Sequence, residues 1–351
     1  MAFYNKIGSD YVFDGSGENS FFKGSWGYDF LVGGSGDDYL MGGSGDDFII
    51  GGGFDDGIYV DVDWYGDNNY FAPVIPDGTW AEGSDTLIGG AGDDTLIGGA
   101  WDDGAVDDNG YYDYGEEVSL GTTWASENVI WAGSGDDVAV GGNATDVIGG
   151  GSGDDDLFGA GGRDYIYGGD GYDTIDGGSG ADDLYGSRGN DLIHGNLGED
   201  WVFGGSGHDD LFGGAGDDTL GGGSGDDVAA GNGGNDVIFG GSGFDTLWGD
   251  AGDDDIYGGS GNDLLSGGSG NDYFYFSDGH GDDTIVDFDV WDDTLVLTGI
   301  SDIWNYDDLE YYSYNAYVDG QYGLMIETSA ADTIFLEGIS LYDVYDMDVI
   351  F

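Results

Sequence analysis

The sequence predicts an all-β chain in which very short strands alternate with glycine turns, and three observations carry that prediction. A nine-residue phrase, spoken plainly in "GGAGDDTLGGGSGDDVAAGNGGNDVIF" from Gly213 to Phe239, recurs without insertion from Ala132 to Tyr275. Its eighth position is apolar in all sixteen copies, from Ala139, Ile148 and Leu157 to Leu265 and Phe274. Beyond the array, "DTLVLTGI" from Asp293 and "DTIFLEGI" from Asp332 alternate apolar and polar residues as half-buried strands do.

The array itself needs the closest justification, because its composition argues against folding. The chain carries 73 acidic and 4 basic residues, a net charge of −69, together with 78 glycines. Self-repulsion and glycine entropy both oppose compaction. Yet 15% of the residues are aromatic and the apolar positions keep a fixed interval, which unfolded tails do not do. A bound cation that neutralises the carboxylates reconciles the two.

Within the phrase, glycines at positions one, two and four admit backbone conformations closed to other residues and let a turn aim carbonyl oxygens inward. Position six adds a carboxylate in every copy: Asp137, Asp146, Asp155, Asp164, Asp173, Asp182, Asp191, Asp200, Asp209, Asp218, Asp227, Asp236, Asp245, Asp254, Asp263 and Asp272. An all-oxygen shell on a flexible frame suits calcium better than magnesium. Positions seven to nine are expected to form a three-residue strand, with eight pointing inward and seven and nine outward.

Two shorter blocks precede the array. One, residues 24–59, has Asp29, Asp38, Asp47 and Asp56 at the sixth position, and the other, 80–106, has Asp85, Asp94 and Asp103. Asp29, Asp38, Asp47, Asp85 and Asp94 join the array aspartates as candidate ligands. "GGGFDDGI" at Gly51 and "GGAWDDGA" at Gly98 replace the fourth glycine with an aromatic and then leave the pattern. Tyr-rich excursions follow, 60–79 and 107–127, each returning through "TWA", so a unit of about fifty residues reads as duplicated. The remaining expected divisions are a degenerate segment at 1–23, the main array at 128–275 and a small β-rich cap at 276–351.

Several function classes are excluded. Lys6, Lys23, Arg163 and Arg188 cannot make a basic patch, so nucleic acid is a poor partner. No cysteine is present for disulfides or thiolate sites, and no apolar run is long enough for a membrane span. Met1 to Asp10 lacks the basic and apolar regions of a cleaved signal. The three histidines, His194, His208 and His280, fall in or just after repeats. Neither a His-Glu-x-x-His nor a Gly-x-Ser-x-Gly motif occurs, so no enzyme is expected.

These phrases resemble the RTX family, whose nonapeptide is Gly-Gly-x-Gly-x-Asp-x-U-x. The resemblance implies a parallel β-roll, a right-handed β-helix with two phrases per turn and calcium in the turns. Each ion would join aspartates eighteen residues apart, such as Asp209 and Asp227, giving about 14 or more Ca2+ ions and a chain unfolded without them. "GNDYFYFSDGHGDDTIVDFDVWDDTLVL" from Gly270 looks like an RTX closing sequence, and "DMDVIF" at Asp346 like the terminus of a type I secretion substrate. The implied partner is the type I secretion machinery, and the implied location is extracellular or cell-surface.

Sorting alternate phrases onto two sheets places Tyr165, Tyr167, Tyr185, Trp201, Phe203, Phe239, Tyr257, Tyr273 and Tyr275 on one outer face. The other face has only Phe158, Phe212 and Trp248. Such an aromatic strip marks a contact surface, here expected to join the chain to copies of itself in a filament, layer or matrix. The alternatives are rings that merely cover neighbouring glycine turns, and a monomeric adhesin holding polysaccharide on the same aromatics. Outward threonines (Thr174, Thr219, Thr246) are too few for an ice-binding array.

Overall fold

The computed structural model describes residues 127–351 continuously and, before them, 3–5, 11–13, 21–24, 29–32, 39–44, 47–50, 86–91 and 95–97. The excursions at 60–79 and 107–123 lie outside the described residues, as do Asp38, Asp85 and Asp94. The chain divides into two compact units, Met1–Ile148 and Gly149–Phe351.

In the first unit, parallel strands alternate between two sheets. Phe3–Asn5, Phe21–Lys23, Tyr39–Ser44, Thr86–Ala91 and Val129–Ser134 follow one another in one sheet. Tyr11–Phe13, Phe30–Val32, Phe48–Ile50, Thr95–Ile97 and Val138–Gly142 follow in the other. Phe3 pairs with Phe21 at the eighteen-residue spacing of two phrases, so the degenerate N-terminal segment already carries roll strands. Tyr39 pairs with Thr86 and Thr86 with Val129, so ladder register is kept on either side of both excursions.

In the second unit the same alternation runs from Asp156–Ala160 through Tyr273–Ser277, each strand parallel to the one two phrases away. Every eighth-position side chain is fully buried, as Ile193, Val202, Leu211 and Leu220 illustrate. First-position glycines and sixth-position aspartates are the other inward residues, so a single column of apolar side chains per sheet is the core.

Two expectations need correction. The strands are mostly six residues long, not three: Tyr165–Asp170 runs from position seven through position three of the next phrase, with Gly169 paired to Ser187 and Asp170 to Arg188. Parallel pairing between identical phrases lets backbone ladders continue through the glycines, which side-chain alternation cannot reveal. The second correction concerns Thr294–Gly299, where Thr294, Leu295, Val296 and Leu297 are all buried instead of alternating. The short helix Tyr306–Tyr311 and the segment after Glu337 bury Leu309, Val344 and Met347 at this end of the unit, adding an apolar layer.

The roll also continues beyond Tyr275. Asp282–Ile285 pairs parallel to Leu264–Ser269, and Thr294–Gly299 parallel to Tyr273–Ser277. Thr333–Glu337 and Asp348–Ile350 extend the two sheets, and antiparallel strands Gln321–Glu327 and Ser313–Val318 complete one of them. "DMDVIF" therefore contributes a sheet strand, Asp348–Ile350.

The aromatic face separates as expected, but its rings stack on one another. Tyr167, Tyr185 and Phe203 form one stack at 5.1 and 5.7 Å, and Phe239, Tyr257 and Tyr275 another at 4.7 and 4.2 Å. Gly221 separates the stacks, and Phe203 lies over it so closely that a side chain there would meet the ring. Tyr167, Trp201 and Phe239 remain exposed; Tyr165, Tyr185, Phe203, Tyr257, Tyr273 and Tyr275 are half-buried.

Candidate metal centre

In the second unit, each array turn is built so that only glycine fits at its tightest point. The fourth-position Gly225 has φ +130°, and a side chain there would strike the carbonyl of Gly207 on the preceding turn. Position two is also left-handed but more tolerant: Ala160, Ser187, Asn196, Asn232 and Asp250 occupy it at φ between 70° and 84°. The turns hence stack with backbone nearly touching backbone.

Onto this frame the sixth-position aspartate turns inward. The N–H of Asp209 donates to Oδ1 of Asp227 at 2.9 Å, and Asp227 in turn donates to Oδ1 of Asp245 at 2.9 Å. The same contact recurs along both sides of the second unit, from Asp155 with Asp173 to Asp254 with Asp272, both at 3.0 Å. In the first unit Asp29 donates to Asp47 at 2.8 Å and Asn128 to Asp146 at 2.6 Å. Aspartates eighteen residues apart are thus neighbours, and Asp29, Asp47 and every array aspartate from Asp137 to Asp272 are buried.

The second carboxylate oxygen is the informative one. At each array aspartate from Asp173 to Asp272, Oδ2 is buried without a hydrogen-bond partner. A buried acceptor left in this state is costly, and a dozen in series call for a shared explanation. The point where a side chain at Gly195 would sit lies 2.6 Å from Oδ2 of Asp200 and 2.6 Å from the carbonyl oxygen of Gly213. At Gly213 the equivalent distances are 2.5 Å to Asp218 and 2.9 Å to the carbonyl of Gly231. Gly24 stands in the same relation to Asp29 and the carbonyl of Gly42. First-position glycine therefore opens a seat where a carboxylate and a carbonyl converge with no donor between them.

Electrostatics agree with the geometry. Burial pushes Asp200, Asp209, Asp236 and Asp245 up to about 7, and Asp173, Asp182, Asp191, Asp218, Asp254, Asp263 and Asp272 up to about 6, from 3.8. These carboxylates hold charge only with difficulty unless a cation joins them. Among the described residues no group of three or more His, Asp or Glu side chains is placed to hold an ion, so a seat combines fewer carboxylates with backbone carbonyls. Hard oxygen donors with a large backbone share fit calcium.

Position five was not singled out in the sequence, yet its side chains form a second ladder. Asn190 Oδ1 accepts the N–H of His208 at 2.9 Å, Nδ1 of His208 that of Asp226 at 2.8 Å, and Asp226 that of Phe244 at 2.9 Å. On the opposite side Asp217, Asn235 and Asp253 accept from Asn235, Asp253 and Asn271, each at 2.8 Å. The fifth-position side chain reaches forward along the stack while the sixth-position carboxylate reaches back. The only signal was a preference for Asp and Asn before the aspartate, hidden among so many acids.

A search of curated proteins finds no match. Among solved structures, the extracellular lipase LipA from Serratia marcescens is similar at 18% identity over 77% of this chain and 45% of that one, with a TM-score of 0.25. The chain thus spans under half the length of that lipase. The family model of the RTX calcium-binding nonapeptide repeat matches residues 23–58, 81–103 and, in overlapping windows, 125–285. That covers more than half of the chain, including the stacked turns and their buried aspartates, and the protein belongs to the RTX calcium-binding nonapeptide-repeat family.

Proposed function

We propose that the chain is a secreted structural protein that folds on calcium outside the cell and associates with its own copies. The observation that carries the calcium part is the series of buried, unpartnered Oδ2 atoms from Asp173 to Asp272, most of them facing a carbonyl across a glycine-sized gap. In this reading the sixth-position aspartates, including Asp38, Asp85 and Asp94, are ligands. A chain with net charge −69 stays extended in a calcium-poor cytosol, suits passage through a type I channel, and collapses where calcium is millimolar. What calcium supplies is positive charge in each seat; the chain's own part is to hold the oxygens in register.

Two features support association. Among the described residues of the first unit, Phe3–Asn5 and Tyr11–Phe13 each stand last in a sheet; an edge strand left uncovered is a template for another chain. In the second unit, exposed Tyr167 and Phe239 each end a ring stack, and exposed Trp201 stands edge-on to Phe203, all on one sheet face. Sedimentation with electron microscopy of the pellet, from no calcium to ~10 mM, tests the reading. Fibres or sheets that appear only with calcium are expected. A folded monomer at every concentration would overturn association and direct the exposed aromatics to polysaccharide.

A further inference from the structure

His280 is buried, only 2% exposed, and lies in a phrase that the unbroken nine-residue count leaves out. "DGHGDDTIV", Asp278 to Val286, is a seventeenth phrase displaced by the two residues Phe276 and Ser277. Its sixth position is Asp283, whose Oδ1 accepts the N–H of Asp263 at 2.8 Å, twenty residues back instead of eighteen. Asp283 therefore occupies the place of a repeat aspartate. Its Oδ2 differs from theirs: it faces Nδ1 of His280 at 2.6 Å.

The far side of the ring fixes its role. Nε2 of His280 lies 2.7 Å from Oγ1 of Thr328, and that hydroxyl donates its one hydrogen to the carbonyl of Asp332 at 3.0 Å. Oγ1 can then only accept from the ring, so Nε2 donates. On its other side, Nδ1 is the hydrogen-bond partner of the Asp283 carboxylate, so a side chain of the chain itself stands at the oxygen that the array leaves open. The hairpin joining Gln321–Glu327 to Thr333–Glu337 closes over the ring, and Asp332 Oδ2 accepts the N–H of Gly279 at 3.2 Å.

A second closing turn reaches the same end by another route. Asp293 Oδ1 accepts from Asp272 at 3.2 Å, and its Oδ2 accepts the N–H of Asp289 at 2.7 Å. Phe288, 4% exposed, stands in the preceding segment where an array phrase has its first glycine. Two consecutive turns thus satisfy from within the chain the oxygen that the array leaves open.

We infer that His280 is a protein-borne substitute for a calcium ion, and that the two closing turns around Asp283 and Asp293 hold together without calcium. This rests on the reading that ions fill the array seats. The test is hydrogen exchange on the full chain, in chelator and in calcium, for the wild type, His280→Ala and His280→Gln. In chelator, the wild-type amides of Thr284, Ile285, Leu295 and Val296 should exchange at least about tenfold more slowly than those of Ile193, Leu211 and Leu220. His280→Ala should lose that protection in chelator and regain it in calcium, while His280→Gln, which keeps an N–H donor, should retain most of it.

Closing-turn amides that exchange as fast as the repeats in chelator would overturn the inference, as would His280→Ala protected like the wild type. If His280→Ala fails to fold even in calcium, His280→Gln decides, and its loss of protection in chelator overturns the inference as well. Repeats that stay protected in chelator would sink the calcium reading, a separate result.

Discussion

The array and the closing turns solve one problem in two ways. From Asp173 to Asp272, a carboxylate is drawn inward by one backbone N–H and left with an open oxygen, which at most of these positions faces a carbonyl. At Asp283 and Asp293 the same inward carboxylate meets a histidine ring nitrogen or a backbone N–H. The same inward carboxylate can therefore be left open to a ligand or closed from within the chain by one neighbour. In a chain this acidic, an ion seated against the open oxygen would tie stability to the surroundings, since stability rises with the concentration of a ligand that binds only the folded state.

The largest effect that would break the comparison comes from the turn itself. Gly225→Val places a branched side chain at φ +130° against the backbone of Gly207 and should cost at least about 3 kcal/mol of calcium-loaded stability. Gly279→Val, at φ +87° with nothing within 4 Å of the added carbon, should cost about 1–2 kcal/mol. Thermal melts of both variants in calcium measure the difference.

Next in size is the loss of one seat. Asp236→Asn should lower stability by about 2.7 kcal/mol when calcium is a hundredfold above its dissociation constant, and by little in chelator. Asp283→Asn should destabilise the closing turns with calcium or without it, because it removes the carboxylate that His280 meets. Denaturant titrations of both variants at two calcium levels sharpen the contrast.

Acid should substitute for calcium in the array. The buried aspartates have folded values of about 6 to 7 against 3.8, so the folded state binds protons more tightly than the unfolded chain. Ion-free stability should then rise as pH falls from about 7 towards 4, and the calcium midpoint should move to higher concentration as pH falls from about 8 to 6. Circular dichroism across that range checks both signs. The smallest effect belongs to the fifth-position ladder, where Asn235→Ala should cost about 1 kcal/mol by removing the acceptor for Asp253 N–H.

Much of this was legible in the sequence because the phrase is periodic. The buried eighth position, the inward sixth-position aspartate and the two-sheet sorting that puts Tyr167 and Tyr257 on one face all follow from the count of nine. What was not legible broke the period or depended on depth. Phe276 and Ser277 shift the frame, so Asp283 dropped out of the aspartate series and His280 read as a residue just past a repeat. Strand length was hidden because glycine carries no side chain to alternate. The ring stacks were hidden because spacing places Tyr185 beside Phe203 without saying whether the rings face each other or solvent.

The most direct test of the central claim is far-ultraviolet circular dichroism of the full chain during a calcium titration started in chelator. The account predicts a weak β signal at the start and a cooperative rise at roughly 0.1–1 mM calcium, the range of extracellular sites. A full β signal in chelator, unchanged by calcium, would contradict it, because the open oxygens of the array would then need no ion.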